Sequence, residues 1–327
     1  LQDRGRSLSD AAIFYRTHAQ SRVIEEVLVR YGLPYQVIGG PKFYDRREVK
    51  DVMAYLKALV NPTDEVAMKR IVNVPKRGIG TTSIGHVDRH AEANSLSFWE
   101  ALQDAESITR LTARAPKQIA EFVTLMGVIR GKAEEGPRAA LQAVLEDTGY
   151  VAELETDGSL EALSRAENLR ELLTVASEFE ETGPMQDLGD ERWEDLDGFR
   201  RLALFLEATA LVNDIDQLDD GGAVTLMTLH NAKGLEFPAI FMAGLEEGVF
   251  PHMRSLGDPD QLEEERRLAY VGITRAQEEL YLTHATTRNL FGSTNWNSPS
   301  RFLGEIPESL MKEADARARK ARTESAK

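Results

Sequence analysis

Two apolar runs on either side of a short polar segment constrain this chain more than any other feature. VTLMTL begins at Val224 and FPAIFMAGL at Phe237, with His-Asn-Ala-Lys-Gly-Leu-Glu between them. Runs rich in Val, Leu, Ile and Phe and bounded by Gly and Pro read as buried strands. In open parallel sheets a ligand sits in the crevice beyond the carboxyl ends of strands, so Thr228, His230, Lys233, Gly234 and Glu236 are expected at one such crevice. Spacing alone leaves a plain loop between two core strands as an equal reading.

The start of the chain supplies the rest of a sheet. AAIFYR reads as a strand, Gln20 to Tyr31 as a helix with Val23, Ile24, Val27 and Leu28 on its apolar side, and PYQVI as a second strand. Between residues 47 and 220 the period is helical: Val49, Val52, Met53, Leu56 and Leu59 share one face, as do Leu169, Leu172, Leu173, Ala176 and Phe179. The economical architecture is one α/β parallel-sheet domain interrupted by an all-α insertion of about 180 residues, an ordinary domain size. The expected boundaries are 1–38 and 221–308 for the sheet domain, 39–220 for the insertion and 309–327 for a frayed or disordered tail.

A further stretch, EEERRLAYVGITRA from Glu263, reads as a charged amphipathic helix that leaves Arg275 near its end. TLHNAKGLEFPAIFMAGLEEGVFP and EEERRLAYVGITRA resemble the fifth and sixth helicase motifs of the UvrD/PcrA/Rep family of superfamily 1 DNA helicases. YRTHAQSRVIEEVLVRYGLPYQVIGG and FYDRREVKDVMAYLKALVNP resemble the passage from that family's second RecA-like domain into its inserted helical subdomain. The likeness runs from the start to about Leu310. It implies an ATP-dependent DNA helicase of DNA repair with 3′ to 5′ translocation, acting on single-stranded DNA and single-strand/duplex junctions.

Candidate residues follow from chemistry and from this likeness. An arginine stabilises charge on a transferring phosphoryl group through its rigid, permanently charged fork; Arg275 matches the family's finger. Glu236 matches the residue at the nucleotide ribose, and Gly234 allows close backbone approach there. Thr228, His230, His252 and Phe291 match positions along the single-strand track, where polar groups meet phosphates and a ring can stack on a base. Taken alone, each is more ordinarily a loop hydrogen-bonder or a core residue.

In the insertion, Lys69 to Arg89 carries five basic residues against one acidic. Gly78-Ile79-Gly80 before Thr81-Thr82-Ser83 would make a tight turn into a helix whose free N–H groups suit a phosphate. IVNVPKRGIG resembles the family's duplex-contacting motif, so Lys76, Arg77, Gly78, Ile79 and Gly80 are duplex candidates; Lys50 matches a lysine near the duplex junction. Composition alone favours an ordinary turn and a solvated lysine. Trp99 and Trp193 are expected to anchor packing, and the acidic stretches Glu178 to Asp197 and Asp214 to Gly222 to be solvated connectors.

Composition narrows the remaining classes. A formal net charge of −15 opposes a surface that coats nucleic acid throughout, while allowing a local basic groove. Without cysteine there is no disulfide framework or thiolate metal site, and no apolar run approaches a membrane span, so cytoplasm is the expected compartment. No GxxxxGK[ST] is present, and no apolar strand ends in an Asp-Glu pair. The likeness places the groups for ATP phosphates and Mg²⁺ in a first RecA-like domain preceding Leu1. This chain alone is then expected not to hydrolyse ATP, with that missing half and repair proteins as partners. A DNA-binding or autoregulatory module and an unrelated nucleotide-binding α/β enzyme are the alternatives.

Overall fold

The computed structural model describes residues 5–184, 192–214, 222–290 and 293–312. Five strands form one parallel sheet: β1 (Ala11–Tyr15), β2 (Tyr35–Ile38), β3 (Val224–Thr228), β4 (Phe237–Met242) and β5 (Ala276–Leu282), in the order β2-β3-β1-β4-β5. Residues far apart in the chain thus become direct neighbours, as in the pairing of Phe14 with Met227. All five residues of β3 are buried, as expected for an inner parallel strand covered on both faces.

The period of two along the strands divides the core. Ala12 and Phe14 join Met227, Ile240 and Met242 on one face, beneath α11 (Pro259–Ile273), which contributes Leu268 and Ala269. Ala11 and Tyr15 turn to the other face with Leu226, beneath Leu28 of α1 (Ser21–Arg30). Close packing explains a glycine within α11: a Cβ on Gly272 would stand 2.5 Å from Leu229 Cδ2. An antiparallel hairpin of β6 (Thr287–Leu290) and β7 (Ser293–Trp296) and a short α12 (Arg301–Gly304) follow the sheet.

A helical body lies between β2 and β3 in the chain. It contains α2 (Arg47–Val60), α3 (Glu65–Ile71), α4 (Thr81–Asn94), α5 (Phe98–Gln103), α6 (Ala115–Ala133), α7 (Pro137–Asp147), α8 (Tyr150–Asp157), α9 (Leu160–Thr182) and α10 (Gly198–Asp214). The helical period set out above builds its core: Val49, Val52, Leu56 and Leu59 of α2 meet Leu169, Leu172 and Ala176 of α9 in one buried cluster. Among the described residues no helix is long and apolar enough to cross a membrane.

Two expectations are corrected by burial. On α1, Val23 and Val27 are 43% and 40% exposed, while Arg22 and Glu25 are buried instead. The helix is rotated by charge pairing: Arg22 Nε donates to Glu171 Oε1 at 2.8 Å, and Ser21 Oγ to Glu25 Oε1 at 2.5 Å. Nor is Glu178 to Asp197 connector throughout, since α9 continues to Thr182 and Trp193 packs edge-on against Phe179 at 5.4 Å, an anchoring role. Residues 185–191, the acidic 215–221 and the tail 313–327 lie outside the described residues.

Candidate nucleotide and nucleic-acid interface

The segment from Leu229 to Glu236 leaves the carboxyl end of β3 and delivers the chain to the amino end of β4. The single crevice expected for Thr228, His230, Lys233, Gly234 and Glu236 is therefore divided between two edges of the sheet. Thr228 and His230 stand at the carboxyl edge, Gly234 and Glu236 at the amino edge, about 20 Å away at ~3.3 Å per residue. The physical reason is that parallel strands start and end on opposite edges, so a loop joining them traverses the sheet.

At the amino edge, strand register assembles a pair. Phe237 pairs with Ala276, and Phe237 N–H donates to Arg275 O at 3.1 Å, so the preceding residues Glu236 and Arg275 lie side by side. Arg275 Nη1 is 3.7 Å from Glu236 Oε1. Its Nε donates to Val271 O at 3.3 Å and its Nη2 to Thr274 Oγ1 at 3.2 Å, bonds that fix the fork at the end of α11. Gly234 has φ +87°, a left-handed conformation that favours glycine, and open space where a Cβ would stand. Glycine here serves the backbone turn and leaves room for close approach.

The carboxyl edge is built around β1 and the turn after β3. Thr228 is buried, whereas His230 is exposed on the short 3₁₀ turn Leu229–Ala232. Desolvation of its ring, with Arg16 second, lowers the His230 pKa although the residue as a whole is open to solvent. Beneath it Arg16 makes a bidentate pair with buried Glu265 of α11, at 2.9 and 3.0 Å from Nε and 2.6 Å from Nη2. Glu265 also accepts the His252 N–H at 3.0 Å.

His252 is more constrained than expected of a track residue. Its Nδ1 accepts the Arg254 N–H at 3.3 Å, and its Nε2 lies 3.5 Å from Glu167 Oε1 on α9, so it joins the sheet to the helical body. The same junction holds Arg46, whose fork donates to Asn168 Oδ1, His18 O and Ser21 Oγ. His18, which the sequence reading passed over, packs between Tyr15 and Gly40 with its Nδ1 buried and unbonded. Burial first, then the charge of Arg46, push its pKa down to about 4. Phe291 lies outside the described residues.

In the helical body, the residues around Gly78-Ile79-Gly80 form a turn organised by Asn73, whose Oδ1 accepts the N–H groups of Arg77 at 2.8 Å and Ile79 at 3.2 Å. Gly78 has φ +79°, and a Cβ there would meet Gln118 Nε2 at 2.3 Å. Gly80 has φ −80° and caps α4 without any side-chain bond, so the first amides of the helix stay uncapped beside exposed Thr81 and Thr82. Ile79 is wholly buried, so it anchors the turn to the core of the helical body.

The basic count of this segment overstates its free charge. Arg77, expected outward beside Lys76, is turned inward: Nη1 donates to the carbonyls of Ile71, Val74 and Pro75, and the guanidinium lies over the Phe122 ring at 5.4 Å. Lys69 is paired with Asp88 at 2.7 Å and Arg70 with Asp51 at 2.7 Å. Lys76 alone of the Lys-Arg pair is exposed. Lys50, on the outer face of α2, is paired with Asp45 at 2.6 Å.

Comparison of the sequence with known proteins matches it to a family. The profile of the UvrD-like helicase C-terminal domain matches residues 1–287. The chain is 49% identical over 314 residues to the ATP-dependent DNA helicase PcrA of Bacillus subtilis, covering 94% of this chain and 40% of that protein. It is 47% identical over 308 residues to the ATP-dependent DNA helicase UvrD1 of Mycobacterium tuberculosis, covering 93% and 40%. With PcrA of Staphylococcus aureus the identity is 43% over 313 residues, covering 95% and 41%. The chain thus spans about two fifths of the length of these relatives.

Proposed function

The chain belongs to the family of UvrD-like helicase C-terminal domains, and from that membership we propose that it works as the C-terminal part of an ATP-dependent DNA helicase. It supplies one wall of a nucleotide site, part of a single-strand track and a duplex-contacting helical body. A preceding RecA-like domain carries the phosphate loop, and translocation runs 3′ to 5′ as in the family resembled.

The observation that carries this reading is the course of residues 229–236, which joins the His230 edge directly to the Glu236 edge. A shift of Glu236 and Arg275 toward a nucleotide would be transmitted along this segment to the turn that presents His230. Bound at the amino edge, ATP would supply a phosphoryl group whose transfer releases free energy. Arg275 would orient and stabilise charge on it, Glu236 would accept hydrogen bonds from ribose hydroxyls, and Gly234 would let the backbone approach. The Arg275–Glu236 pair is partly solvated and worth at most about 1 kcal/mol, so Arg275 can exchange Glu236 for a more highly charged partner at little cost.

Among the described residues no group of three or more His, Asp or Glu side chains could hold a metal ion. In this reading the groups that hold Mg²⁺ belong to the preceding RecA-like domain. At the duplex, the uncapped amides of α4 and the Lys76 ammonium meet backbone phosphates. The test is His230→Ala in the full-length protein. Single-strand affinity and DNA stimulation of ATPase should fall together while nucleotide binding persists; undiminished stimulation would sink the proposal.

A further inference from the structure

Beyond the turn that starts α4, the same helix runs into a cleft of about 230 Å³ whose walls are basic. His86, Arg89 and His90 line it from α4, and Ser107, Thr109 and Arg110 from the segment after α5. No Asp or Glu is among its described lining residues, in a chain of net charge −15. Lys69, Arg70 and Arg77 are already committed elsewhere, so this cleft gathers much of the uncommitted positive charge near the duplex surface.

The hydrogen bonds fix which atoms can donate to a ligand. Arg89 Nη2 lies 2.8 Å from His86 Nδ1. Guanidinium has only donors, so Nδ1 accepts, the proton of neutral His86 is on Nε2, and that N–H remains available. Asn94 Nδ2 is 3.3 Å from His90 Nδ1, and His90 Nε2 is 2.8 Å from Asp104 Oδ2. His90 is thereby consumed as a positioning residue. Asp104, the carboxylate touching the cluster, also accepts from Ser107 Oγ at 2.6 Å; that bond first, and His90 second, hold it below the usual carboxylate range. Arg110 is exposed and has no carboxylate partner among the described residues. What is left over is a set of donors: His86 Nε2–H, the remaining Arg89 N–H groups, the Arg110 fork and the Thr109 hydroxyl. Such a set matches an anion with several acceptor oxygens.

We propose that this cleft is a second phosphodiester site for duplex DNA, with Arg89, Arg110 and His86 as its ligands. His86 to His90 lie about 8–14 Å along the helix from the uncapped amides of α4, at ~1.5 Å per residue. At ~3.4 Å of duplex axis per phosphate in one strand, that span reaches two to four phosphates beyond the one at the turn. The helix would follow the backbone with its amino end and its third turn. This inference rests on the duplex contact proposed above and extends it to a different set of residues.

The test is duplex affinity measured against salt for Arg89→Ala, Arg110→Ala and the double variant, by anisotropy with a short blunt duplex. Each single variant should weaken binding about three- to tenfold and reduce the magnitude of the log–log salt slope by about 0.9, the double by about twice that. Arg110→Lys should restore the slope, because a phosphate contact of this kind needs charge. Both arginines are exposed, and an unchanged thermal midpoint confirms that folding is intact. Lys76→Ala serves as the comparison. If it weakens binding while the Arg89 and Arg110 variants match the parent, the inference falls and the duplex reading stands; if the parent binds no duplex, both fall. A polyglutamate peptide is the remaining probe: loss of its binding with duplex affinity unchanged would assign the cleft to an acidic protein and overturn the proposal.

Discussion

Arg275 Nη1 stands 3.7 Å from Glu236 Oε1 because β4 and β5 start in register one residue later. The two side chains come from segments nearly forty positions apart, yet each immediately precedes a strand at the same edge of the sheet. This makes the pair sensitive to the strand register and only weakly to its own attraction.

In the full-length protein, Arg275→Ala should lower kcat for DNA-stimulated ATP hydrolysis by on the order of 10³, the scale of arginine fingers, with DNA affinity in the absence of nucleotide nearly unchanged. Arg275→Lys should rescue poorly because an ammonium cannot replace the planar fork. Steady-state kinetics decide it: a kcat within a few-fold of the parent would return Arg275 to a helix-end arginine.

Arg22 is 2% exposed and touches Glu26, Glu171 and Glu178. Burial opposes its charge, but the three carboxylates outweigh it and raise the pKa further. Arg22→Ala should destabilise by about 3–5 kcal/mol, since it strands the buried Glu171 carboxylate without a partner. Arg22→Met with Glu171→Leu should recover much of the loss. Urea denaturation of the three variants checks both statements; a single variant as stable as the parent would show that the cluster contributes nothing.

His18 gives a pH dependence with a definite sign. Its pKa is about 4 folded against 6.5 when solvated. Above pH 6.5 neither state binds the proton and the group has no effect. As pH falls from 6.5 toward 4 only the unfolded state takes the proton, so stability declines, by about 3 kcal/mol in all, and then levels off. His18→Asn should flatten this part of the curve. Denaturation midpoints between pH 7 and 4 that are parallel in the two proteins would contradict the assignment.

Gly78 and Gly80 should behave oppositely. Gly78→Val must adopt a left-handed backbone and displace Gln118, with an expected cost of about 1–3 kcal/mol. Gly80→Ala meets no atom and an ordinary φ, so its stability should match the parent. Thermal unfolding of both distinguishes them. Of the two glycines, only Gly78 stands where a side chain would obstruct the turn.

Residue pattern and spacing expose the strands and the interrupted sheet, because buried parallel strands are continuous apolar runs and the insertion keeps a clean helical period, whereas the roles expected of Arg275, Glu236 and His230 come from the family resemblance. What pattern cannot expose is partner choice. Arg77 and Lys76 look alike in a basic segment, but only the folded turn offers Arg77 three carbonyls and an aromatic floor. The burial of Arg22 in place of Val23 follows from carboxylates on α9, nearly 150 positions away. The division of the candidates between two sheet edges depends on strand direction, which apolar runs do not encode.

The position of the helical body between β2 and β3 has a topological meaning. These strands are adjacent and parallel, so some excursion must carry the chain from the end of one to the start of the other, and a dozen or so residues suffice for that. The whole body is an overgrown crossover, attached at both ends to a single strand pair. A short designed helix spanning Ile38 to Val224, with Arg22 replaced by an apolar residue, should therefore leave a sheet that unfolds cooperatively when the shortened chain is denatured. The sheet would then fold as a free-standing unit, deprived of its helical attachment but not of the edge where Arg275 meets Glu236.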